Sequence, residues 1–451
     1  MHLYFIAIGG SAMHNLAIAL YKKGYQISGS DDEIFEPSKS RLARYGLLPQ
    51  EQGWDASRIT TQLDAIILGM HAKSDNPELL KAKELGLKIY SYPEFLYEQS
   101  KDKRRVVIGG SHGKTTITAM VLHALRQANI ECDYLVGAQL EGFDVMVKLS
   151  ATAPVMIFEG DEYLTSPIDP RPKFHLYKPD IALLSGIAWD HINVFPTFNN
   201  YVDQFRIFIR QVTPGGSLIW CDSDKELQQI CRGCRDDLSL LPYTLPEYKI
   251  QNGKTFIISE GHSFPILVFG KHNLLNMNGA RMVCNLLGIN DRVFFSAMET
   301  FTGAAKRLEK VIETGTCIVY KDFAHAPSKV EATLKAVREQ YPGHKIVACL
   351  ELHTYSSLSR EFLDHYRGSM DAADVAIVYF NPHALALKRL PEITGEQIRD
   401  GFGKENLEVF NDAQRLMDRL RSITSENMVY LMMSSGNFDG IDLHSGFSAI
   451  H

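Results

Sequence analysis

No apolar run in these 451 residues approaches the ~20 residues of a membrane-crossing helix, so membrane insertion is not expected. The opening segment, MHLYFIAIGG, has no basic region ahead of its short apolar stretch, and it reads as a first strand instead of a secretion signal. A basic excess is missing too. The 47 Lys and Arg stand against 53 Asp and Glu, and the net charge of −6 argues against a broad nucleic-acid-binding face. Cysteine is sparse, seven residues in all, which without a secretion signal implies free thiols in a reducing cytoplasm. Cys231 and Cys234 form a CxxC with Cys221 ten residues before it. A zinc or redox site would need a second ligand pair or a thioredoxin-like setting; the plain reading is two thiols on a short helix or turn. Low-complexity segments and short-period repeats are also lacking. What remains is 45% apolar and 22% charged, the composition of a globular protein. The chain is too long for one core, so about two to four domains are expected.

Against these absences one stretch stands out. Val106 to Thr116 reads VVIGGSHGKTT: a buried strand, a tight glycine loop and a helix that opens at Lys114. Such a loop points backbone N–H groups and a helix N-terminus at an anion, and the lysine adds full positive charge. The hydroxyl directly after the lysine suits a phosphate-bound Mg²⁺. The Walker pattern asks for glycine where Ile108 stands, so this is the shorter GxxGK[ST] form, Gly110 to Thr115. Nucleotide phosphate binding is expected here.

Residues 1–100 alternate strand and helix: Leu3–Ile8, a helix over Met13–Lys23, Gln26–Ser30, then short strands at Ala65–Leu68 and Lys88–Tyr90. That alternation predicts a parallel, Rossmann-like sheet. The first turn, Ala7 to Ala12, has alanine at the first and last glycine positions of a dinucleotide fingerprint, so NAD is not favoured. The turn can still hold a pyrophosphate at the helix that follows. Asp31 suits a ribose or sugar hydroxyl, or belongs to a plain acidic loop. The polar, basic Gln99–Arg105 reads as a linker.

A second alternating region runs to about residue 300. Its strand Val155–Phe158 ends in Glu159, and Ile181–Leu184 is followed by Gly186 and then Asp190–His191. Carboxyl ends of parallel strands share one edge. Lys114, Thr115, Glu159 and Asp190–His191 are therefore expected at one crevice, where acid and imidazole ligands beside a phosphate suit a divalent cation. Residues 249–269 carry short β-like runs, and Gly270–Asn276 opens a helix through Leu287; Asn and His at a helix start are often mere caps. The last third repeats the alternation. Cys317–Tyr320 leads into Asp322–Pro327, and a helix is expected from Ser328 with a capping box to Glu331. Lys345–Leu350, Val375–Tyr379 and Val429–Met433 complete the parallel set. The fold class expected is α/β in three domains: residues 1–100 Rossmann-like, 101–300 a P-loop ATPase-like centre, and 301–451 Rossmann-like again.

The motifs together resemble those of the Mur ligases. Gly110-Ser111-His112-Gly113-Lys114-Thr115-Thr116 looks like that family's GTHGKTT loop, Glu159–Glu162 like its ExDE segment and Asp190-His191 like its strand-end DH. Gly270–Asn276 is similar to GxHNxxN, and Lys306–Glu309 with Asp322–Pro327 to HRxE and DYxHxP, all in family order across essentially the whole chain. The resemblance implies a cytoplasmic ATP- and Mg²⁺-dependent amide ligase. Its ATP site would comprise Gly110, Ser111, His112, Gly113, Lys114, Thr115, Thr116, Asn273, Asn276, Arg307 and Asp322, and its metal ligands Thr115, Glu159 and His191. Lys114, His191, Arg307 and His325 would be catalytic, although His325 reads equally well as a helix-start cap. Residues 1–100 would bind a UDP-sugar through Gly9, Gly10, Ser11, Ala12, Met13, Asp31 and His71, and the third domain would close on ATP and bind the amine substrate. Arg206 stands where several relatives carry a carbamylated lysine, and would supply fixed positive charge instead.

Two muramate-binding branches of the family fit the MHLYFIAIGGSAM start. One adds L-alanine to UDP-N-acetylmuramate in primary wall synthesis. The other re-attaches a recycled murein tripeptide, L-alanyl-γ-D-glutamyl-meso-diaminopimelate. Glu159 and His191 are 32 residues apart here because of an insertion that includes Ser166–Phe174, with Asp169, Arg171, Lys173 and Phe174. That insertion, and Leu350-Glu351-Leu352-His353 at a later strand end, resemble the tripeptide branch, which is the function expected; the alanine ligase is the alternative.

Overall fold

The structure, a computed structural model, describes residues 1–137, 145–189, 194–303, 308–423 and 425–447. It divides into two compact units, Met1–Leu245 with Leu275–Ala297, and Pro246–Leu274 with Met298–His451. No helix among the described residues is long and apolar enough to cross a membrane.

The first unit holds two parallel sheets. In the first, β1 (His2–Ile6), β2 (Gln26–Ser30), β3 (Ala65–Leu68) and β4 (Ile89–Ser91) lie in the order β2-β1-β3-β4. Helices α1 (Ser11–Lys22), α2 (Ser38–Arg44), α3 (Pro77–Glu84) and α4 (Tyr92–Glu98) connect or follow these strands. β1 stops two residues before the expected Ile8 because Ala7 adopts a left-handed conformation (φ 68°), which ends extended pairing.

The polar stretch Gln99–Arg105 is not the exposed linker its composition suggests. Lys103 is buried, with its Nζ 2.8 Å from Asp133 Oδ2 and donating to the carbonyls of Ser150 and Ala153. Arg105 is buried against Asp180 and several carbonyls, and Arg104 already belongs to the next strand. Basic residues tolerate burial when every charge finds partners, and composition alone does not reveal that they have.

The second sheet is built from β5 (Arg104–Gly109), β6 (Cys132–Leu135), β7 (Val147–Lys148), β8 (Val155–Glu159), β11 (Ile181–Leu184), β12 (Ser217–Cys221) and β13 (Ser239–Tyr243), with a small antiparallel pair, β9 (Leu164–Ser166) and β10 (Asp169–Pro172), inserted. Its order is β13-β12-β11-β5-β8-β6-β7, parallel except for β7. Helices α5 (Lys114–Gln127), α6 (Phe198–Arg210), α7 (Lys225–Arg232), α8 (Lys271–Leu286) and α9 (Asp291–Met298) accompany it. A sheet buried on both faces needs continuous apolar runs, as Val106, Val107 and Ile108 supply at its centre. Each such side chain contributes about 1.5–3 kcal/mol by leaving water.

The second unit pairs a three-stranded antiparallel sheet with a six-stranded one. The former is β14 (Tyr248–Gln251), β15 (Lys254–Ser259) and β16 (His262–Ile266). The latter contains β17 (Glu309–Glu313), β18 (Cys317–Asp322), β19 (Lys345–Leu352), β20 (Val375–Phe380), β21 (Glu408–Phe410) and β22 (Met428–Met433), in the order β17-β18-β22-β19-β20-β21 and parallel except for β17. Helix α10 (Pro327–Gln340) starts without the expected capping box. Pro327 opens it, Ala326 is the cap residue with no side-chain acceptor, and Glu331 bonds Lys335 instead. Proline at the first turn lacks the N–H a cap would satisfy and presets the helical φ, so the start shifts one residue ahead of Ser328.

Candidate active site

Most helices of the first unit start on a side-chain acceptor: Asn76 for α3, Ser91 for α4, Thr197 for α6 and Asp224 for α7. α2, which follows Pro37, does not, nor do the two that open at glycine turns. α1 follows Gly10 and α5 follows Gly113, each with no side-chain cap. Their first N–H groups are left for an outside acceptor, and a helix N-terminus favours an anionic one.

At α5 the loop geometry requires glycine twice. Gly110 has φ 124° and a methyl group there would lie 2.2 Å from Ser185 Oγ; Gly113 has φ 79° and a methyl would lie 2.3 Å from Asn276 Oδ1. Both contacts are far inside van der Waals range, so the turn is shaped jointly by the end of β11 and by α8. Ser185 Oγ donates to the carbonyl of His112, and Ser111 N donates to Gly186 O at 2.9 Å, which fixes the loop on β11.

β8 and β11 flank β5, so their carboxyl ends meet the loop as the sequence pattern demands. β8 runs one residue beyond its apolar stretch and carries Glu159 opposite Ile108. Thr115 Oγ1 donates to Glu159 Oε1 at 2.7 Å, and Gly137 N donates to Oε2 at 2.8 Å. Burial pushes the Glu159 pKa up, with Gly137 N–H, Thr115 and Lys114 pulling against it.

Lys114 Nζ lies 2.7 Å from both Gly110 O and Glu162 Oε2. Burial alone would favour the neutral amine, yet Glu162, Asp161 and Glu159 together hold the lysine above its ordinary pKa and keep it charged. Asp161 is itself paired with Lys173 at 2.6 Å; burial works to raise its pKa, but Lys173 and Lys114 bring it below the usual carboxylate range. Tyr201 links the pieces, lying 2.9 Å from Ser111 Oγ and donating to Glu162 Oε1 at 3.1 Å. Glu162, Tyr201 and Ser185 were not among the expected site residues. Glu162 sat in view, three residues after Glu159, but nothing in the spacing paired it with Lys114, and Tyr201 and Ser185 carry no motif.

The N-terminal turn is assembled in the same unit. Gly9 N donates to Asp31 Oδ2 at 2.6 Å, and a methyl on Gly9 would meet that oxygen at 2.8 Å. His71 lies beside Gly10, Ser11 Oγ is 3.7 Å from Met146 Sδ, and Ala12 and Met13 form the first turn of α1. Burial, then Asp32, push the Asp31 pKa up to about 6. Asn15, also unanticipated, accepts from Met146 N at 3.1 Å and ties α1 to the second sheet.

Arg206 does not join this cluster. It pairs with Asp203 at 2.7 Å on the exposed side of α6 and lines a separate basic hollow with Arg210 and Arg235, because its place on the helix turns it away from Tyr201. His191 and Arg307, with their neighbours Asp190 and Lys306, lie outside the described residues. No cluster of three potential metal-binding side chains occurs among the described residues.

Asn276 belongs to the loop cluster, and Asn273 is in the second unit, donating to Phe269 O at 2.9 Å. Asp322 is buried at the end of β18, accepting from Leu308 N at 2.6 Å and Ala324 N at 2.7 Å, so it shapes the segment that follows Arg307. His325 bonds the Phe323 carbonyl at 2.8 Å through Nδ1, and its own carbonyl accepts from Tyr366 OH.

An uncapped helix, a glycine-lysine loop and an adjoining carboxylate on the edge of a parallel sheet define a P-loop nucleotide-binding enzyme. Three family models match the chain in succession: the Mur ligase family catalytic domain over residues 2–104, the Mur ligase middle domain over 108–284, and the Mur ligase glutamate ligase domain over 306–436. The UDP-N-acetylmuramate–L-alanine ligase of Caldicellulosiruptor bescii is 30% identical over 414 residues, covering 88% of this chain and 87% of that protein. The Haemophilus influenzae UDP-N-acetylmuramate–L-alanyl-γ-D-glutamyl-meso-2,6-diaminoheptandioate ligase is 27% identical over 452 residues, covering 98% and 97%. Among solved structures, the Thermotoga maritima UDP-N-acetylmuramate–alanine ligase superposes with a TM-score of 0.69 at 20% identity, covering 98% of this chain and 97% of that one. A murein peptide ligase from Psychrobacter arcticus gives 0.63 at 20% identity, covering 100% and 99%. The chain belongs to the Mur ligase family, whose members are ATP-dependent ligases that form carbon–nitrogen bonds on UDP-N-acetylmuramate-based substrates.

Proposed function

We propose that the protein joins the carboxylate of UDP-N-acetylmuramate to the amine of L-alanyl-γ-D-glutamyl-meso-diaminopimelate in the cytoplasm, recycling a wall peptide. The observation that carries the ligase chemistry is Lys114, held charged between Gly110 O and Glu162 at the mouth of an uncapped helix. A carboxylate does not condense with an amine unaided near neutral pH. One of its oxygens therefore attacks the γ-phosphorus of ATP, ADP departs, and the acyl phosphate is formed. The amine then attacks the acyl carbon, phosphate leaves with that oxygen, and the amine proton is released.

Phosphoryl transfer needs charge neutralisation and alignment more than covalent help. Lys114 supplies the first at the β- and γ-phosphates, and the loop N–H groups the second. The hydroxyl of Thr115 and the buried carboxylate of Glu159, 2.7 Å apart, are hard oxygen donors that fit Mg²⁺. These two residues would hold the ion, with His191 in the same set, and it would neutralise phosphate charge. Asn273 and Asn276 are assigned to the adenine side, Arg307 and Asp322 to the nucleotide from the third domain, and His325 to orienting the amine or phosphate. Gly9, Gly10, Ser11, Ala12, Met13, Asp31 and His71 are assigned to the UDP-sugar.

The choice of tripeptide over alanine rests on the insertion between Glu159 and β11, folded as the β9–β10 pair and held by Lys173 on Asp161. L-alanine ligation is the second reading, favoured by the names of relatives about 30% identical. Side-by-side assays with the tripeptide and L-alanine decide between them. A higher kcat/KM for the tripeptide is expected, and preference for free L-alanine would overturn the assignment.

A further inference from the structure

Away from the phosphate loop, a cavity of about 740 Å³ opens between α1, α5 and the β6–β7 pair, all within the first unit. Its lining is mixed: Ile18, Leu122, Val147 and Leu149 are buried along it, and Asn129 and Tyr134 add polar groups. Lys22, Arg126 and Lys148 also line it, against a single carboxylate, Glu131. The chain as a whole is acidic, at −6, so this positive bias is local. Lys22 and Arg126 sit in the last turns of α1 and α5, where a cation also complements the helix dipole. Lys148 is on a strand and serves no helix end. A half-open cleft of this size, with apolar side chains along it and three cations against one carboxylate, has the character of a small-molecule site.

The same two helices open at the two glycine turns. α1 begins at Ser11 and α5 at Lys114, and both reach the cavity with their later turns. A molecule seated there touches the far ends of both. We propose that the cavity is a regulatory site for an anion with an apolar body, a medium-chain carboxylate in chemical class, which fixes α1 against α5 and thereby couples to the two substrate turns. The coupling rests on the ligase reading above; the binding does not.

The test uses the full chain and the fluorescent probe 1-anilinonaphthalene-8-sulfonate, an apolar body with one anionic group, with decanoate and decyltrimethylammonium as competitors. Saturable probe binding displaced by decanoate is expected, with the cationic amphiphile about ten-fold weaker as a competitor. Ala19→Trp, which fills the cavity, and Lys148→Glu, an exposed change that leaves the core alone, should each weaken probe binding about ten-fold. Saturating decanoate should move the KM for ATP or for UDP-N-acetylmuramate about two-fold or more in the wild type and not in Lys148→Glu. Probe binding unchanged in Lys148→Glu, equal competition by the cation, or decanoate binding that moves neither KM would overturn the proposal. The fluorescence arm needs neither ATP nor sugar, so its failure is separate from a failure of the ligase reading.

Discussion

Two sheet edges in this protein are built to opposite plans. At the edge of the central sheet, Gly110 and Gly113 take the left-handed backbone and oppositely charged side chains are paired across it, Lys114 with Glu162 and Lys173 with Asp161. At the edge of the C-terminal sheet, Phe438 and Asp439 take φ near 50° ahead of Gly440, although neither is glycine. There the acids serve mainly backbone N–H, hydroxyl and amide groups, with His353 Nδ1 3.7 Å from Glu351. Buried Glu351 accepts from Ser434 Oγ and from Phe438 N at 2.9 Å, while Asp439 accepts from Tyr379 OH and Asn381. The difference is between a charge-balanced site whose cation must be released toward a ligand, and a hydrogen-bonded loop that holds its own strained backbone in place.

The contrast can be broken most sharply at the lysine. Lys114→Ala should lower phosphate release by about 10³-fold or more, because no other side chain of the loop carries charge to the β- and γ-phosphates. Near-normal turnover in that variant would remove the site. Glu159→Gln should cost about 10²-fold in kcat and raise the Mg²⁺ concentration needed for half-maximal rate, measured by titrating the metal at fixed ATP. Its melting temperature should not fall, since the change removes a buried charge whose pKa is already raised.

At the other edge the order of effects should reverse. Glu351→Ala should cost about 2 kcal/mol of stability by stranding Ser434 Oγ and Phe438 N, read as a lower urea midpoint, with the KM for ATP unchanged. A shifted KM for ATP with unchanged stability would contradict that division.

A pH-dependent effect is expected at Asp31. Its pKa is pushed up to about 6 from 3.8, so the folded protein holds a proton that the unfolded chain has lost between those values. Stability from this group is therefore greatest at low pH, declines as pH rises through that window and levels off above about 6. Melting curves of wild type and Asp31→Asn from pH 4 to 7 should converge toward the acid end and separate toward neutrality. Parallel curves would show that Asp31 has no such shift.

How legible each edge was follows from how its residues are spaced along the chain. The phosphate loop is one continuous segment with a glycine-lysine pattern, and Glu159 ends an apolar strand. Strand alternation sufficed to bring them together, and Gln26–Ser30, Ala65–Leu68 and Ile181–Leu184 fall where the pattern placed them. Strand ends were legible to within a residue or two, β19 running on through Glu351 and Leu352. The Glu162–Tyr201–Ser111 links depend on how a helix is rotated against a loop, which periodicity does not encode. The same holds for Arg206, which the family pattern placed in the site and its helix face takes away. Lys103 and Arg105 looked exposed because charge in a sequence signals solvent until its partners are known. The C-terminal edge draws Glu351, Tyr379, Asn381, Ser434 and Asp439 from separate segments, and no motif joins them.

If this loop activates the sugar carboxylate by phosphorylating it, one carboxylate oxygen must leave in the released phosphate. UDP-N-acetylmuramate labelled with ¹⁸O in its carboxylate, turned over with ATP and the accepted amine, tests that directly by mass analysis of the released phosphate. Each phosphate should carry one oxygen from the carboxylate. Phosphate without the label, alongside normal amide formation, would contradict it.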